Sequence, residues 1–421
     1  MEIDVSEFEK PCPCGIRHHI AVRDILLEAG ALEQLPTLFQ KEPYSRWGKA
    51  VILCDTNTYE AAGRRVSALL PAADTVVLPC EGLHANERGV ALAEESIPSG
   101  CGCLLAVGSG TIHDITRFIA HRRELPFLSI PTAASVDGFV STVAAMTWGG
   151  VKRTFPAVSP VAVIADSAVV ARAPNRLTVS GVGDMLGKFT ALADWKIARI
   201  VTGEPLCEKV CALEEQALNA VCEQLEEIRD GGVEACEHLM YGLLLSGLAM
   251  QMVGNSRPAS GAEHHCSHLW EMEWVSPHTQ ALHGEKVGVG LLLTARAYHE
   301  AAEFLRSGHF TVPPYEGLER DLIRRSVPPE ALDAIWAENT PDPLAAIPGE
   351  LLLSKSATIA DVLQSLPSEQ ELYRMLEVVG AKRSLNDLGL PESVREITLR
   401  LSPYIRNRLT FMRLLKRFHW K

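Results

Sequence analysis

The sequence predicts an α/β domain over residues 1–175, built on a mostly parallel sheet, followed by an all-helical domain over residues 176–421. Three observations carry this expectation. Short, almost wholly apolar runs alternate with helical patterns in the first part. The strand signal disappears from about Asn175 onward. A chain of 421 residues exceeds the size at which one core keeps growing, so two domains are the default.

The expected strands are residues 51–54 (VILC), 75–79 (TVVLP), 104–107 (LLAV), 127–130 (FLSI) and 162–165 (AVIA). Strands buried on both faces must be continuously apolar, as these are. Helical patterns over 59–70, 87–95 and 112–120 lie between them. Strand and helix in alternation imply a parallel sheet covered on both sides. Beyond the boundary, residues 183–201, 206–229, 235–253 and 286–305 show helical apolar spacing. Pro156, Pro160 and Pro174 punctuate the approach to it.

Bulk properties narrow the function classes. A formal net charge of -12 argues against a protein built to neutralise phosphate backbones, so no nucleic-acid partner is expected. The basic C-terminus (Arg406, Arg408, Arg413, Lys416, Arg417, Lys421) reads as a solvated helix face. The start, MEIDVSEFEK, is acidic and has no apolar signal region, so a cytoplasmic protein is expected. The most apolar window, 239–253, is too short for a bilayer span and reads as a buried helix. Eleven scattered cysteines suit reduced thiols better than a disulfide framework. The run CPCGIRHH, with Cys12, Cys14, His18 and His19, departs from the usual zinc spacings and reads as a turn, with a structural metal as the alternative.

Residues 104–114, LLAVGSGTIHD, read as a strand, a Gly-rich turn and a helix start. Gly108 and Gly110 allow the backbone close to a diphosphate, and Thr111 and the first N–H groups of the helix face its charge. His113 takes the third glycine's place of the common dinucleotide fingerprint, and an ordinary strand-to-helix turn would look the same. A second loop, 131–141 (PTAASVDGFVS), follows the next strand. Thr132, Ser135, Asp137 and Ser141 on it face the crevice where ligands of doubly wound sheets bind, although Asp137-Gly138 is also a common turn pair. Asp55, at the end of VILC, suits an adenosine ribose and would repel a 2′-phosphate; it suits a helix N-cap equally.

In the helical part, Asp184 (GVGDMLGK), His264 (SGAEHHCSH) and His283 (ALHGEKVGVG) form a set of one carboxylate and two imidazoles. That set can bind one divalent cation and leave positions open for substrate. Alone, Asp184 would read as a surface ion pair with Lys188, and a lone His as a core group. His268 stands four residues after His264 and so shares its helix face, free to reach a substrate. His283 is placed at a break before a helix starting near Lys286.

Together GSGTIHD, PTAASVDGF, GDMLGK, SRPASGAEHHCSH and LHGEKVG resemble the bacterial branch of the sn-glycerol-1-phosphate dehydrogenases, within the metal-dependent polyol dehydrogenases of dehydroquinate synthase-like fold. The likeness spans roughly residues 55–294. It implies that Gly110, Thr111, Ile112, His113 and Asp114 bind the diphosphate of NAD(P)H, and that Thr132, Ala133, Ala134, Ser135 and Ser141 line the nicotinamide side. It further implies that Asp184, His264 and His283 hold zinc or nickel, and that Asp137 and His268 contact substrate near the metal. The family's usual G-G-G-S is G-S-G-T here, with Ser109 and Thr111 replacing Gly and Ser, so the hydroxyl survives.

The implied reaction is reversible reduction of dihydroxyacetone phosphate to sn-glycerol 1-phosphate, the metal acting as a Lewis acid on the C2 oxygen and His268 handling its proton. A homo-oligomer, dimer or larger, is the expected assembly. The rivals are a glycerol or other polyol dehydrogenase of the same fold and a dehydroquinate synthase-like lyase. Arg257 and Lys286 are the cations near the metal motifs that could meet a substrate phosphate.

Overall fold

The computed structural model describes residues 3–149 and 151–420. It divides into two compact units. The first comprises residues 1–185 and 213–255; the second comprises 186–212 and 256–421. The change from strand to helix lies near residue 175, as the apolar runs predict, but the units do not follow it. Helix Val233–Val253 belongs with the sheet-bearing unit.

In the first unit, β1 (Asp24–Glu28), β2 (Lys49–Asp55), β3 (Asp74–Leu78), β4 (Cys101–Gly108), β5 (Phe127–Pro131) and β8 (Ala162–Asp166) form one sheet in the order β1-β8-β5-β4-β2-β3. Every pairing in it is parallel. All five expected strands are present. The sequence reading missed β1, an edge strand that is half-buried on alternate residues. It also missed the antiparallel hairpin of β6 (Val143–Trp148) and β7 (Val151–Pro156), whose first strand begins with residues buried and exposed in alternation. Chain order reverses between β2 and β4, and this is where the loops at the carboxyl strand ends diverge to leave a crevice. The register pairs Gly108 with Pro131 and Leu53 with Ala106, so the ends of β2, β4 and β5 lie side by side.

The helices that position candidate residues are α1 (Gly110–Arg122), α2 (Asn175–Leu186), α3 (Lys188–Thr202), α4 (Val233–Val253), α5 (Ala262–Glu271) and α6 (His283–Ser307). The pattern over 183–201 predicts one helix; the structure has α2 and α3, separated at Gly187. The window 239–253 is the buried α4, and no described helix is long and apolar enough to cross a membrane. The second unit is helical apart from a short antiparallel ribbon, β9 (Phe310–Thr311) with β10 (His419–Trp420), which the all-helical expectation did not include.

Candidate functional site

In the first unit, β4 ends at Gly108 and α1 starts two residues later. A Cβ at Gly108 would lie 2.7 Å from Ile112 Cβ, so the first turn of α1 packs directly on the strand end and requires glycine there. Gly110 has more room, its nearest neighbour being Val136 Cγ2 at 3.5 Å. Ser109 makes no side-chain cap to α1, which leaves the first N–H groups to face an anion. His113 faces inward. Its Nε2 lies 2.7 Å from Ser129 Oγ and its Nδ1 2.9 Å from the Ser109 carbonyl, while its N–H donates to that carbonyl at 3.1 Å. Burial, with Arg117 nearby, pulls this imidazole down to about 3. The ring is thus a brace beneath the turn. Asp114 stands 3.8 Å from Arg117 Nε.

The sequence reading missed Arg117. It is 1% exposed, and its guanidinium donates to the carbonyls of Gly138 (2.6 Å), Phe139 (3.2 Å) and Val143 (3.2 Å). It ties α1 to the end of the 131–141 loop. Thr132 N–H donates to Gly108 O at 3.0 Å, joining the other end of that loop to β4. Thr132, Ala133, Ala134 and Ser135 are buried, and Ser135 Oγ makes no hydrogen bond among the described residues, an unmet polar group of the kind a ligand satisfies. Ser141 Oγ instead braces the start of β6, with Val143 O at 2.9 Å and Val143 N at 3.1 Å. Asp55 is an N-cap: Thr58 N–H donates to its Oδ1 at 2.8 Å.

Helix α2 lies against the middle of the same loop, where a Cβ at Gly181 would meet Ala134 O at 2.0 Å. This close approach brings Asp184, one turn further along, to the loop. The Asp137 N–H donates to Asp184 Oδ2 at 3.0 Å, and Ser246 Oγ on α4 donates to Asp137 Oδ2 at 3.1 Å. Asp184 is fully buried. A carboxylate in that position demands a compensating charge or donors.

In the second unit, His264, His268 and His283 converge. Their ring centroids are 5.3 Å apart for His264–His283, 5.9 Å for His268–His283 and 6.0 Å for His264–His268. His283 is the first residue of α6, three residues before the start the sequence suggests, because Leu282 N–H and Glu285 close a capping contact of 2.7 Å around it. His264 Nδ1 donates to Glu263 Oε1 at 2.7 Å, and His283 Nδ1 donates to Glu271 Oε1 at 2.9 Å. Each bond fixes a ring and leaves Nε2 as the basic nitrogen, the arrangement that supports metal-binding imidazoles. Glu271 gave no signal in the sequence beyond its spacing on α5.

Glu263 is fully buried; burial raises its pKa, but the bonds from His264, Thr190 Oγ1 and Gly261 N–H outweigh that and hold it below the usual carboxylate value. His268 Nδ1 is buried with no hydrogen bond among the described residues, and burial holds its protonation well below the usual imidazole range, with Arg406, His283 and His264 adding to the depression against Glu271. Ligand atoms of His268, Glu271 and His283 also lie within 4.8 Å of one another. Three closely spaced imidazoles with carboxylates behind two of them fit a divalent cation better than they fit protons.

Of the two cations expected to meet a phosphate, Arg257 is held by Glu204 at 2.5 and 2.7 Å and by Leu409 O at 2.8 Å, and Lys286 stands 3.1 Å from Glu271.

Residues 26–174 match the family described as iron-containing alcohol dehydrogenase. Over 411 residues the chain is 35% identical to glycerol-1-phosphate dehydrogenase [NAD(P)+] of Geobacillus thermodenitrificans, covering 95% of this chain and 94% of that protein. The chain belongs to the glycerol-1-phosphate dehydrogenase family. The Geobacillus stearothermophilus relative of the same description is 34% identical over 97% of this chain and 96% of its own. Among solved structures, maleylacetate reductase from Agrobacterium tumefaciens shares the fold, with a TM-score of 0.64 at 17% identity over 97% of this chain and 96% of that one. The architecture is the dehydroquinate synthase-like fold of this family.

Proposed function

We propose that this chain reduces dihydroxyacetone phosphate to sn-glycerol 1-phosphate with NAD(P)H, reversibly, and that Asp184, His264 and His283 hold one divalent cation, zinc or nickel. The observation that carries the reading is the pair of imidazoles, His264 and His283, each fixed through Nδ1 by a carboxylate and each presenting Nε2. Membership of the family supplies the substrate class. Asp184 adds the negative charge that turns a neutral imidazole pair into a cation site.

When bound, the cation supplies Lewis-acid polarisation of the C2 oxygen. The protein's residues do the rest. The start of α1 receives the cofactor diphosphate, and the 131–141 loop, held by Arg117 and Thr132, fixes the nicotinamide side. Asp137, braced by Ser246, orients the substrate hydroxyls. His268, kept neutral by burial, holds the proton of the C2 oxygen and passes it on. The substrate phosphate is assigned to Arg406, a cation near enough to the histidine cluster for its charge to bear on His268.

The test is cofactor oxidation with dihydroxyacetone phosphate beside dihydroxyacetone and glycerol. A site that pairs a phosphate leaves its cation unsatisfied without one, so the unphosphorylated compounds should lose by several orders of magnitude. Arg406→Ala should raise KM for dihydroxyacetone phosphate and narrow that preference. Equal use of phosphorylated and unphosphorylated substrate would overturn the reading.

A further inference from the structure

Far along the chain from these motifs, the N-terminal run Cys12-Pro13-Cys14-Gly15 forms a tight turn. Gly15 N–H donates to Cys12 O at 3.0 Å, and Gly15 takes a φ of 78°, which favours glycine. Ile16 N–H lies 3.4 Å from Cys14 Sγ, the kind of donor that stabilises a thiolate. Cys14 Sγ is 3.4 Å from His18 Nε2. Bond lengths of about 2.3 Å to sulfur and about 2.0 Å to nitrogen at a tetrahedral angle would set two such atoms roughly 3.5 Å apart on a shared zinc ion. Cys12 belongs to the same group: the ligand atoms of Cys12, Cys14 and His18 lie within 4.8 Å of one another.

His18 is prepared for that role. It is 2% exposed, and its Nδ1 lies 2.7 Å from the Met252 carbonyl near the end of α4, so the ring is oriented by a backbone acceptor and Nε2 is turned to the cysteines. His19, also in the run, stands instead 3.2 Å from Glu9 at the surface. Cysteines that merely pack look different. Cys54 and Cys103 sit within β2 and β4, and burial pushes their thiols up to about 12.

We propose that Cys12, Cys14 and His18 bind a structural zinc ion, independent of the cation at the histidine cluster, with a further thiolate or a water completing the tetrahedron. The ion pins the N-terminal segment to α4 through His18 and Met252, alongside the 2.8 Å bond from Ala21 N–H to Gln251 Oε1.

Cobalt substitution of the whole protein tests this, because the carboxylate and imidazole donors of the other site give no thiolate-to-cobalt charge-transfer absorption. Loading the wild-type protein with Co2+ should produce that near-ultraviolet band, and the double variant Cys12→Ser, Cys14→Ser should lose it together with one equivalent of bound zinc per chain. X-ray absorption on the zinc protein should find two or three sulfur scatterers at about 2.3 Å. Absence of the band from the cobalt-loaded wild type overturns the proposal whether or not the double variant folds. Retention of the band in a folded double variant overturns it as well.

Discussion

His283 Nδ1 donates to Glu271 Oε1 at 2.9 Å, and Lys286 Nζ stands 3.1 Å from that same oxygen. One carboxylate thus orients an imidazole from α6 and neutralises a lysine one turn further on. Glu271→Gln keeps the shape but withdraws the charge that raises imidazole basicity. It should weaken metal retention by about 10–100-fold. His283→Ala should abolish retention and activity while leaving the circular dichroism spectrum unchanged. Metal content after dialysis against a chelator checks both, and wild-type retention in Glu271→Gln would show that the carboxylate is structural only.

The Asp55 carboxylate caps the helix turn after β2 through Thr58 N–H at 2.8 Å. It can also repel a 2′-phosphate, so NADH should serve at least as well as NADPH. Asp55→Ser separates the two roles, since serine is a comparable N-cap. The variant should keep its thermal stability and gain in kcat/KM for NADPH relative to NADH. An unchanged ratio in steady-state kinetics would show that Asp55 acts only as a cap.

His113 is held neutral down to about 3, against 6.5 for an unhindered imidazole. Between those values the unfolded chain binds a proton that the folded one does not. The contribution of this group to stability is therefore complete above pH 6.5 and is lost as pH falls towards 3, by up to about 1.4 kcal/mol per pH unit. His113→Asn should be less stable at neutral pH but should show a shallower acid loss. Denaturant midpoints between pH 7.5 and 5 measure it, and parallel pH profiles would contradict it.

The central strands were legible because burial on both faces leaves a strand no freedom but to be apolar, as in VILC and LLAV. The edge strand β1 was not, because its short apolar run is bounded by Asp24 and Glu28, and the β6–β7 hairpin was not, because its second strand carries Lys152, Arg153 and Thr154. His264, His268 and His283 were legible as residue types near helical sequence. Glu271, which holds His283, and Arg117, which holds the 131–141 loop, were hidden, since both look like surface charges on amphipathic helices until tertiary packing supplies their partners. The bracing of His113 was hidden in the same way, because only the neighbouring strand supplies Ser129 as its partner.

The substrate and the face of its ketone that receives hydride can be read in one experiment. The proposed function requires that only one face of C2 be open to hydride. Incubating the purified protein with dihydroxyacetone phosphate and NADH, then offering the product to a stereospecific glycerol-3-phosphate dehydrogenase, reads that face directly. The product, sn-glycerol 1-phosphate, should not be oxidised by that enzyme; ready oxidation would refute the proposed function.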